Sequence, residues 1–302
     1  MVKNFKELFT KAENQKRMVL AVAAANDENV LKAVCSASER GLITPILIGD
    51  EEKIKDVAKS VDVNIDSYEI INKLVLEDIA ETTVKLVNEG KADFLMKGLI
   101  DTAVLLRAVL NKEYGLRTDS QLSHVMVYDV KNYHKLLYLT DGGMNITPTF
   151  EEKVKITKNA IDVVKAMGNE IVKIAGIAAK EKVNEKMIAT VEARKLQQMS
   201  KNGDFGENVI FEGPLALDLA VSLEAAEVKG FKSDIAGDTD VLLVPTIEVG
   251  NGIGKTLTYL ANASSAGIIM GAKVPVVLVS RADSFDAKLN SIALGSVIAA
   301  NN

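Results

Sequence analysis

Short apolar segments alternate with amphipathic segments along most of the chain, and this alternation predicts strands separated by helices. Between most of the apolar segments lie helical patterns such as "NVLKAVCSASERG" and "EEKVKITKNAIDVVKAMG". Apolar strands without polar alternation are typical of a mostly parallel sheet buried on both faces, so the pattern predicts a doubly wound α/β fold. The predicted strands fall at 18–24, 45–48, 68–71, 93–96, 125–128, 136–139, 171–178, 209–211, 241–245 and 275–279.

Two features refine this prediction. The stretch "VMVYDVKNYHKLLYL" has a short polar connection between two apolar runs, which indicates a hairpin rather than a crossover helix. The stretch "DGGMNITPTF" at 141–150 collects Gly, Asn, Thr and Pro before a long helical pattern, which is typical of a domain boundary. Ligands of such folds bind beyond the carboxyl ends of the strands, so we expect the chemistry in the turns from strand to helix.

Composition excludes several classes of function. The chain of 302 residues has a net charge of −5 and a pI near 5.3, which argues against a general nucleic-acid-binding protein. A single cysteine, Cys35, excludes an internal disulfide framework, and its helical context favours a buried structural thiol.

The basic start before "MVLAVAAAN" imitates a signal peptide, but acidic residues interrupt it, so we predict a first helix and a first strand instead. No run approaches the ~18 apolar residues of a membrane span, and we expect a cytoplasmic protein.

The stretch "VPTIEVGNGIGKTLTYLANASSAG" resembles a nucleotide-binding loop but has the wrong glycine spacing. Neither the P-loop nor the dinucleotide-binding fingerprint is satisfied by Gly250, Gly252 and Gly254. We interpret it as a glycine turn that feeds a helix. Such a turn either holds an anion at the helix N-terminus, with Lys255 nearby, or is a plain connection.

Four other strand-to-helix turns carry polar side chains. In the first, Lys97 ends a strand and Arg107 follows on a helix, either to bind phosphate or as a surface charge. The second, "LTDGGMNITP", is better explained as a structural turn, and the third places Glu212 at the end of an apolar strand. The fourth follows the strand "VPVVLVS" with Ser280 and Arg281, whose hydroxyl and guanidinium suit an oxyanion substrate.

Asp283 and Asp286, which follow Arg281, fit either helix capping or proton transfer. The two histidines are too far apart in sequence for a close metal pair. We predict a structural His134 and leave both interpretations open for His124. The sequence has no G-x-S-x-G elbow, so a serine hydrolase is poorly supported.

Together these segments resemble the phosphate acyltransferases, the family of phosphate acetyltransferases and phosphate butyryltransferases. The "MKG", "LSHV", "NITP" and "EGPLALD" forms are closer to the butyryltransferase branch. The segments that carry the resemblance run nearly from end to end: "ASERGLITPILIGDEEKI", "MKGLIDTAVLLRAVL", "LSHVMVYD", "EGPLALDLAVSLEAA", "VPTIEVGNGIGKTL" and "SRADSFDAKLNSIAL".

The resemblance implies that butanoyl-CoA and inorganic phosphate give butanoyl phosphate and CoA, by direct acyl transfer in a ternary complex. It also implies two doubly wound α/β domains around a cleft, as in isocitrate and isopropylmalate dehydrogenases. We assign 1–142 and 281–302 to the first domain and 143–280 to the second. No metal or bound cofactor is needed, because CoA is a substrate, and we expect a homodimer or larger homo-oligomer.

The family's site residues are carried over where the motifs match. Ser280 and Arg281 match its Ser-Arg pair, and Arg107 matches the arginine of its "LRPA"-like helix. The catalytic aspartate of the family falls on Ala287, so we predict that the adjacent Asp286 is the base, with Asp283 as the alternative. The predicted substrate-binding residues are Lys97, Thr102, Ser123, Glu212, Asn251, Lys255 and Asp283.

Two further departures concern substrate binding. Thr102 stands where acetyltransferases have a serine, and it retains the hydroxyl. Another substrate-binding arginine lies in a segment that this chain lacks, and Lys97 is the candidate to replace its charge.

Three alternative functions stay open at this level. The first is a phosphate acetyltransferase. The second is a metal- and NAD-dependent decarboxylating dehydrogenase of the same fold, favoured by the spacing of Arg107 and Arg117 and of Asp234 and Asp238. The third is an acyl-CoA-binding protein without turnover.

Overall fold

The computed structural model describes residues 1–280 and 283–301. Its helices are α1 (Phe5–Glu13), α2 (Glu28–Glu39), α3 (Glu51–Ser60), α4 (Leu76–Asn88), α5 (Thr102–Val109), α6 (Phe150–Ala166), α7 (Ile188–Lys201), α8 (Leu217–Val221), α9 (Leu223–Val228), α10 (Ile247–Tyr259) and α11 (Phe285–Ala299). Its strands are β1 (Met18–Ala23), β2 (Ile43–Gly49), β3 (Glu69–Asn72), β4 (Phe94–Lys97), β5 (Ser123–Asp129), β6 (Leu137–Thr140), β7 (Val172–Ile177), β8 (Val209–Leu215), β9 (Val241–Leu243), β10 (Ser264–Met270) and β11 (Val276–Val277).

The chain forms two compact units, and they divide at different residues from the predicted domains. We name the two units by their place in the sequence. The outer unit comprises residues 5–120 and 265–302, and the central unit comprises residues 1–4 and 121–264. The hairpin at 121–142 belongs to the central unit because its second strand, β6, pairs with β9. Residues 265–280 belong to the outer unit because β11 pairs with β4.

The outer unit has a mostly parallel sheet in the order β3-β2-β1-β4-β11-β10. Strands β1, β2, β3, β4 and β11 pair in parallel, and β10 runs antiparallel to β11. Helix α11 packs against α1 and α2, and all of its residues from Ala287 to Ile298 are buried. A helix that is apolar on every side belongs inside a core, which explains its place in this unit.

The central unit has the strand order β5-β6-β9-β7-β8. Strands β5 and β6 form the predicted antiparallel hairpin, and β6, β9, β7 and β8 pair in parallel. A capping box formed by Thr149 and Glu152 starts α6, directly after the turn that was predicted as a domain boundary. Both units therefore have the predicted combination of parallel strands and crossover helices.

The predicted strands agree with the structure except in two places. Strand β10 was not predicted, because "SSAG" at its start reads as a turn and only its last residues are strongly apolar. Strand β8 continues through Gly213 and Pro214 to Leu215, so Glu212 lies inside the strand and not at its end. Within the described residues, no helix is both long enough and apolar enough to span a membrane.

The prediction of a glycine turn at 250–254 is wrong. Helix α10 begins at Ile247, and Gly250, Gly252 and Gly254 all lie within it. A Cβ on Gly250 would lie 2.6 Å from the Cα of Gly142, and one on Gly254 would lie 2.6 Å from the Tyr128 hydroxyl oxygen. Two of the glycines therefore allow the helix to approach its neighbours closely.

A cluster of charges lies at the amino ends of β6, β9 and β7, and we call His134, Lys135, Lys173, Asp238 and Asp240 the Asp238 cluster. The Lys135 Nζ lies 2.9 Å from Asp238 Oδ1 and 2.7 Å from Asp240 Oδ1. The Asp238 carboxylate also accepts from Lys173 Nζ at 2.5 Å and contacts His134 Nε2 at 2.7 Å. The structural role predicted for His134 fits this contact.

Asp238→Asn is expected to lower stability in a pH-dependent way. Burial alone would raise the pKa of Asp238, but hydrogen bonds from Lys173, Lys135 and His134 outweigh it and lower the pKa. A carboxylate with a lowered pKa stabilises the fold above the unfolded pKa of ~3.9, and this stability is lost as the pH falls through the folded pKa. The difference in free energy of unfolding between wild type and D238N should be full at neutral pH and should shrink in acid.

Urea unfolding of both proteins across the acid range would measure this difference. Asp234→Asn is the matched control, because Asp234 is exposed and only four residues away. A D238N deficit that stays constant down to the most acidic point would contradict the prediction.

Candidate functional site

The carboxyl ends of β1, β4 and β11 lie side by side in the outer unit. In the register of the parallel strands, Ala23 aligns with Lys97, and Met96 aligns with Val277. Lys97 therefore ends β4 at the same edge of the sheet at which the chain after β11 reaches Ser280. The structure thus brings the first and fourth predicted turns to neighbouring positions.

The turn after β4 is pressed against the end of β1. The N–H of Gly98 donates to the carbonyl oxygen of Ala23, and the N–H of Leu99 donates to that of Ala24, both at 2.8 Å. Ala24 itself has a positive φ of 53°. A Cβ on Gly98 would lie 2.3 Å from the Ala24 carbonyl oxygen, so only glycine fits this approach. Half-buried Lys97 is thereby fixed beside the end of β1, and its Nζ donates to the Gly98 carbonyl oxygen at 3.3 Å.

Gly98→Ala is expected to destabilise the protein by about 1–3 kcal/mol, because backbone atoms must shift to make room. The variant should also bind substrate more weakly, since the shift moves Lys97. Urea unfolding and steady-state kinetics would measure both effects. Gly252→Ala is the control: its Cβ meets no atom within 4 Å, and removal of a helical glycine should stabilise by roughly 0.5–1 kcal/mol. Equal stability of G98A and wild type would contradict the prediction.

Helix α5 follows the Lys97 turn and carries two predicted site residues. Asp101 is its N-cap residue, Thr102 is its first residue, and Arg107 lies in its last turn. Arg107 is exposed and has no ion pair within the described part of the chain. At a rise of about 1.5 Å per residue, it lies roughly 7.5 Å along the helix from Thr102.

The turn after β11 presents an exposed Ser280. The Ser280 N–H donates to Asp283 Oδ2 at 2.7 Å, and the Asp283 N–H donates to the Ser280 carbonyl oxygen at 3.1 Å. Ser284 is the N-cap residue of α11, and its hydroxyl accepts from the Ala287 N–H. Asp286 is exposed in the first turn of that helix. Arg281 lies outside the described residues, so its predicted role stays a prediction.

These contacts separate the two candidate bases. The Asp283 carboxylate already accepts a backbone hydrogen bond and shapes the turn, whereas the exposed Asp286 carboxylate makes no hydrogen bond within residues 1–280 and 283–301. Asp286 is therefore the less engaged of the two carboxylates, and its role as the base stays a prediction.

The turn after β6 is structural, as its sequence suggested. The carboxylate of Asp141, 3% exposed, accepts from the backbone N–H groups of Gly143 and Met144, both at 2.8 Å. Its other oxygen accepts from the His124 N–H at 3.0 Å and from Asn145 Nδ2 at 2.6 Å. Asp141 thus ties the β6 turn to the start of β5.

Two residues predicted to bind substrate are engaged elsewhere in the central unit. Ser123 is fully buried, and its hydroxyl accepts from Asn159 Nδ2 at 2.8 Å, so the structure gives it a role in the interior. The Glu212 carboxylate accepts from the Ser233 hydroxyl. Strands β5 and β8 are the first and last strands in the order of the central unit. Four steps of ~4.8 Å between neighbouring strands place them about 19 Å apart. The structure therefore does not bring Ser123 and Glu212 together.

Anion binding at the N-terminus of α10 was one of two interpretations of this stretch, and it stays a prediction. The helix end carries Glu248, whose pKa is lowered by contacts with its own backbone N–H and with the Thr246 hydroxyl. Lys255 lies about 12 Å further along the helix, with its Nζ 5.6 Å from the centre of the Tyr259 ring. Asn251 and Lys255 remain exposed one turn apart, where a ligand can reach them.

Lys288 is a residue of this site that sequence reasoning missed. It lies one turn beyond the N-cap of α11, is 3% exposed, and contacts the turn that carries Ser280. The sequence signal that could have identified it is a lysine within the mostly apolar sequence of α11.

The other residues considered from the sequence, which are the possible metal ligands, Cys35 and the aspartates at 234 and 238, do not form a second candidate site within the described residues. Within residues 1–280 and 283–301, no three His, Cys, Asp or Glu side chains are grouped so as to hold a metal. Cys35 is buried as predicted, and burial raises the pKa of its thiol. The two aspartates whose spacing favoured a dehydrogenase have different surroundings: Asp234 is exposed, and Asp238 contacts Lys135, Lys173 and His134.

Comparisons with family models, with curated proteins and with solved structures all indicate the same family. A family model described as "Phosphate acetyl/butaryl transferase" matches residues 4–84 and 71–296. Phosphate butyryltransferase of Clostridium acetobutylicum is 44% identical over 301 residues, which cover 100% of both chains. Phosphate acetyltransferase of Thermotoga maritima is 41% identical over 295 residues, 98% of this chain and 100% of that protein. The crystal structure of a branched-chain phosphotransacylase from Enterococcus faecalis superimposes with a TM-score of 0.82 at 32% identity, covering 93% of this chain and 99% of that one.

Proposed function

The chain belongs to the phosphate acetyl/butyryl transferase family, and we propose that it converts butanoyl-CoA and inorganic phosphate into butanoyl phosphate and CoA. The observation that carries this proposal is the 44% identity with a phosphate butyryltransferase over the whole length of both chains. Acetyl-CoA is the second candidate substrate, because the Thermotoga acetyltransferase is nearly as similar. A pocket discriminates one methylene by only ~1–3 kcal/mol, so few substitutions separate the two preferences.

We place the reaction at the turns after β4 and β11. A phosphate oxygen attacks the thioester carbonyl carbon, the carbon–sulfur bond breaks, and the CoA sulfur leaves with the electron pair and takes up a proton. The Ser280 hydroxyl donates a hydrogen bond to the oxygen on which negative charge develops. Arg281 and Arg107 supply positive charge for phosphate and for the tetrahedral intermediate, and Lys97 binds an anionic part of the substrates.

Asp286 serves as the general base in the reverse direction. An unperturbed thiol has a pKa near ~8.5, so little thiolate exists at neutral pH and a carboxylate that accepts the proton speeds attack on the acyl phosphate. Thr102, Asn251 and Lys255 are proposed to contact CoA or phosphate through their exposed or half-exposed polar groups. Asp283 acts by shaping the turn that presents Ser280.

We further propose that each unit is a domain of the isocitrate dehydrogenase type, that the enzyme needs no metal or bound cofactor, and that it is a cytoplasmic homo-oligomer. Large apolar side chains on α9 and after α10 support an oligomer, since Val228 and Leu260 are 83% and 80% exposed. Sedimentation of the purified chain would measure the oligomeric state. The cleft between the predicted domains stays a prediction.

Release of CoA from acetyl-, butanoyl- and octanoyl-CoA, with and without phosphate and in EDTA, tests the proposed reaction. Phosphate-dependent release that is fastest with butanoyl-CoA supports it. Fastest release from acetyl-CoA would make the enzyme a phosphate acetyltransferase. No release from any of the thioesters would overturn the proposed function, and binding without release would indicate a non-catalytic acyl-CoA-binding protein.

Direct transfer makes a separate prediction about isotope exchange. Because no acyl-enzyme forms, labelled CoA should not exchange into butanoyl-CoA unless phosphate is present. The measurement is the label in butanoyl-CoA after incubation with enzyme and labelled CoA alone. Rapid exchange without phosphate would contradict direct transfer and would indicate a covalent intermediate.

A further inference from the structure

Lys288 lies beneath the turn that presents Ser280, on the side of the protein interior. It is 3% exposed and occupies the second turn of α11, where its neighbours Ala287 and Leu289 are also buried. Its Nζ donates to the carbonyl oxygen of Asp283 at 2.7 Å and, less closely, to that of Ser280 at 3.4 Å. The ammonium group thus contacts the first and last residues of the turn.

The charge of Lys288 lacks the compensation that the other buried lysines have. Within the described residues, Lys135 and Lys153 are the other lysines less than a tenth exposed. Lys135 pairs with Asp238 and Asp240, and Lys153 lies 2.5 Å from the Glu192 carboxylate. No carboxylate oxygen in residues 1–280 and 283–301 lies within 4.0 Å of Lys288 Nζ. A buried ammonium without a carboxylate is unfavourable unless an anion approaches it.

We propose that Lys288 is a positioning residue for phosphate: it holds the backbone carbonyl oxygens of Ser280 and Asp283 in place and supplies a fixed positive charge beside them. This inference rests on the proposed function, which places phosphate at Ser280. The two carbonyl contacts orient the Ser280 backbone, and the charge favours a dianion next to it. Preorganised charge of this kind needs no rearrangement when the substrate binds.

A purely structural lysine would behave differently from a positioning residue. Lys288→Met leaves the carbonyl oxygens of Ser280 and Asp283 without their donor, so some loss of stability is expected in either role. Weaker phosphate binding by a folded K288M is the pattern of a positioning residue. Loss of stability with unchanged phosphate binding is the pattern of a structural residue.

The test compares wild type, K288M and K288R in steady-state kinetics and in melting with added inorganic phosphate. In K288M, KM for phosphate should rise about 10- to 100-fold, the range expected for a unit charge that acts on the phosphate across several ångströms of protein. KM for butanoyl-CoA should stay unchanged, and the rise in melting temperature caused by phosphate should disappear. K288R, which retains the charge, should recover part of the phosphate affinity.

Lys135→Met is the matched control, because it removes a buried lysine just before β6 in the other unit. It should lower the melting temperature, since the buried Asp240 carboxylate loses its lysine partner, and it should leave KM for phosphate unchanged. Should K288M fail to fold, K288Q retains a donor for the Asp283 carbonyl oxygen without the charge and gives the same comparison.

The outcomes separate this inference from the proposed function. A wild-type enzyme that releases no CoA would overturn the proposed function, and melting with phosphate would still test Lys288. The role of Lys288 would be overturned if the wild type is active and a folded K288M or K288Q has the same KM for phosphate and is stabilised by phosphate to the same extent.

Discussion

Ser280→Ala is expected to lower kcat by about 10²–10³, the usual effect of removing one donor to a developing oxyanion. The hydroxyl is exposed at the end of the β11 turn, and the turn is held by backbone atoms and the Asp283 carboxylate. Because these backbone contacts do not involve the hydroxyl, its loss should act on kcat and leave both KM values nearly unchanged. Steady-state kinetics with butanoyl-CoA and phosphate would measure the effect.

Ser284→Ala is the matched control for this prediction. Ser284 caps α11 through the Ala287 N–H, so its removal should cost roughly 0.5–2 kcal/mol of stability and leave kcat nearly unchanged. If S280A retains the kcat of the wild type, the Ser280 hydroxyl has no part in the chemical step.

Asp286→Asn is expected to slow the reaction of CoA with butanoyl phosphate by about 10²–10⁴, the range of a positioned general base. Asp286 is exposed at the start of α11 and makes no hydrogen bond within residues 1–280 and 283–301, so the substitution should cost little stability. The measurement is the initial rate of butanoyl-CoA formation. Added formate should restore part of the rate, because a small carboxylate can take the place of the missing base.

Asp283→Asn distinguishes the two candidate bases. Asp283 accepts the Ser280 N–H at 2.7 Å, so its replacement should disturb the turn, raise KM for phosphate and give no rescue with formate. Rescue of D283N but not of D286N would reverse the assignment and make Asp283 the base.

The fold could be predicted from the sequence wherever one local pattern decides the structure. The apolar run of β1 after the charged α1 was such a case, and so was the hairpin of β5 and β6. The glycines of α10 were misread because glycine usually marks a turn. Their purpose is visible only with the neighbours present: Gly250 lies against Gly142, and Gly254 lies against Tyr128.

The candidate site was predictable at the level of its turns but not of its individual contacts. Ser280 and Asp283 are only three positions apart in sequence, so the hydrogen bonds between them could be anticipated from local chemistry. The hydrogen bonds of Ser123 and Glu212 could not be anticipated, because their partners Asn159 and Ser233 are distant in sequence. Lys288 was missed for the same reason, since burial is not a local property.

³¹P NMR of the purified chain with butanoyl-CoA and inorganic phosphate directly detects acyl transfer to phosphate. We expect a growing acyl phosphate signal, an equal loss of inorganic phosphate and release of one CoA for each acyl phosphate formed. Release of CoA with free butanoate and no acyl phosphate signal would show a thioesterase and would contradict acyl transfer to phosphate.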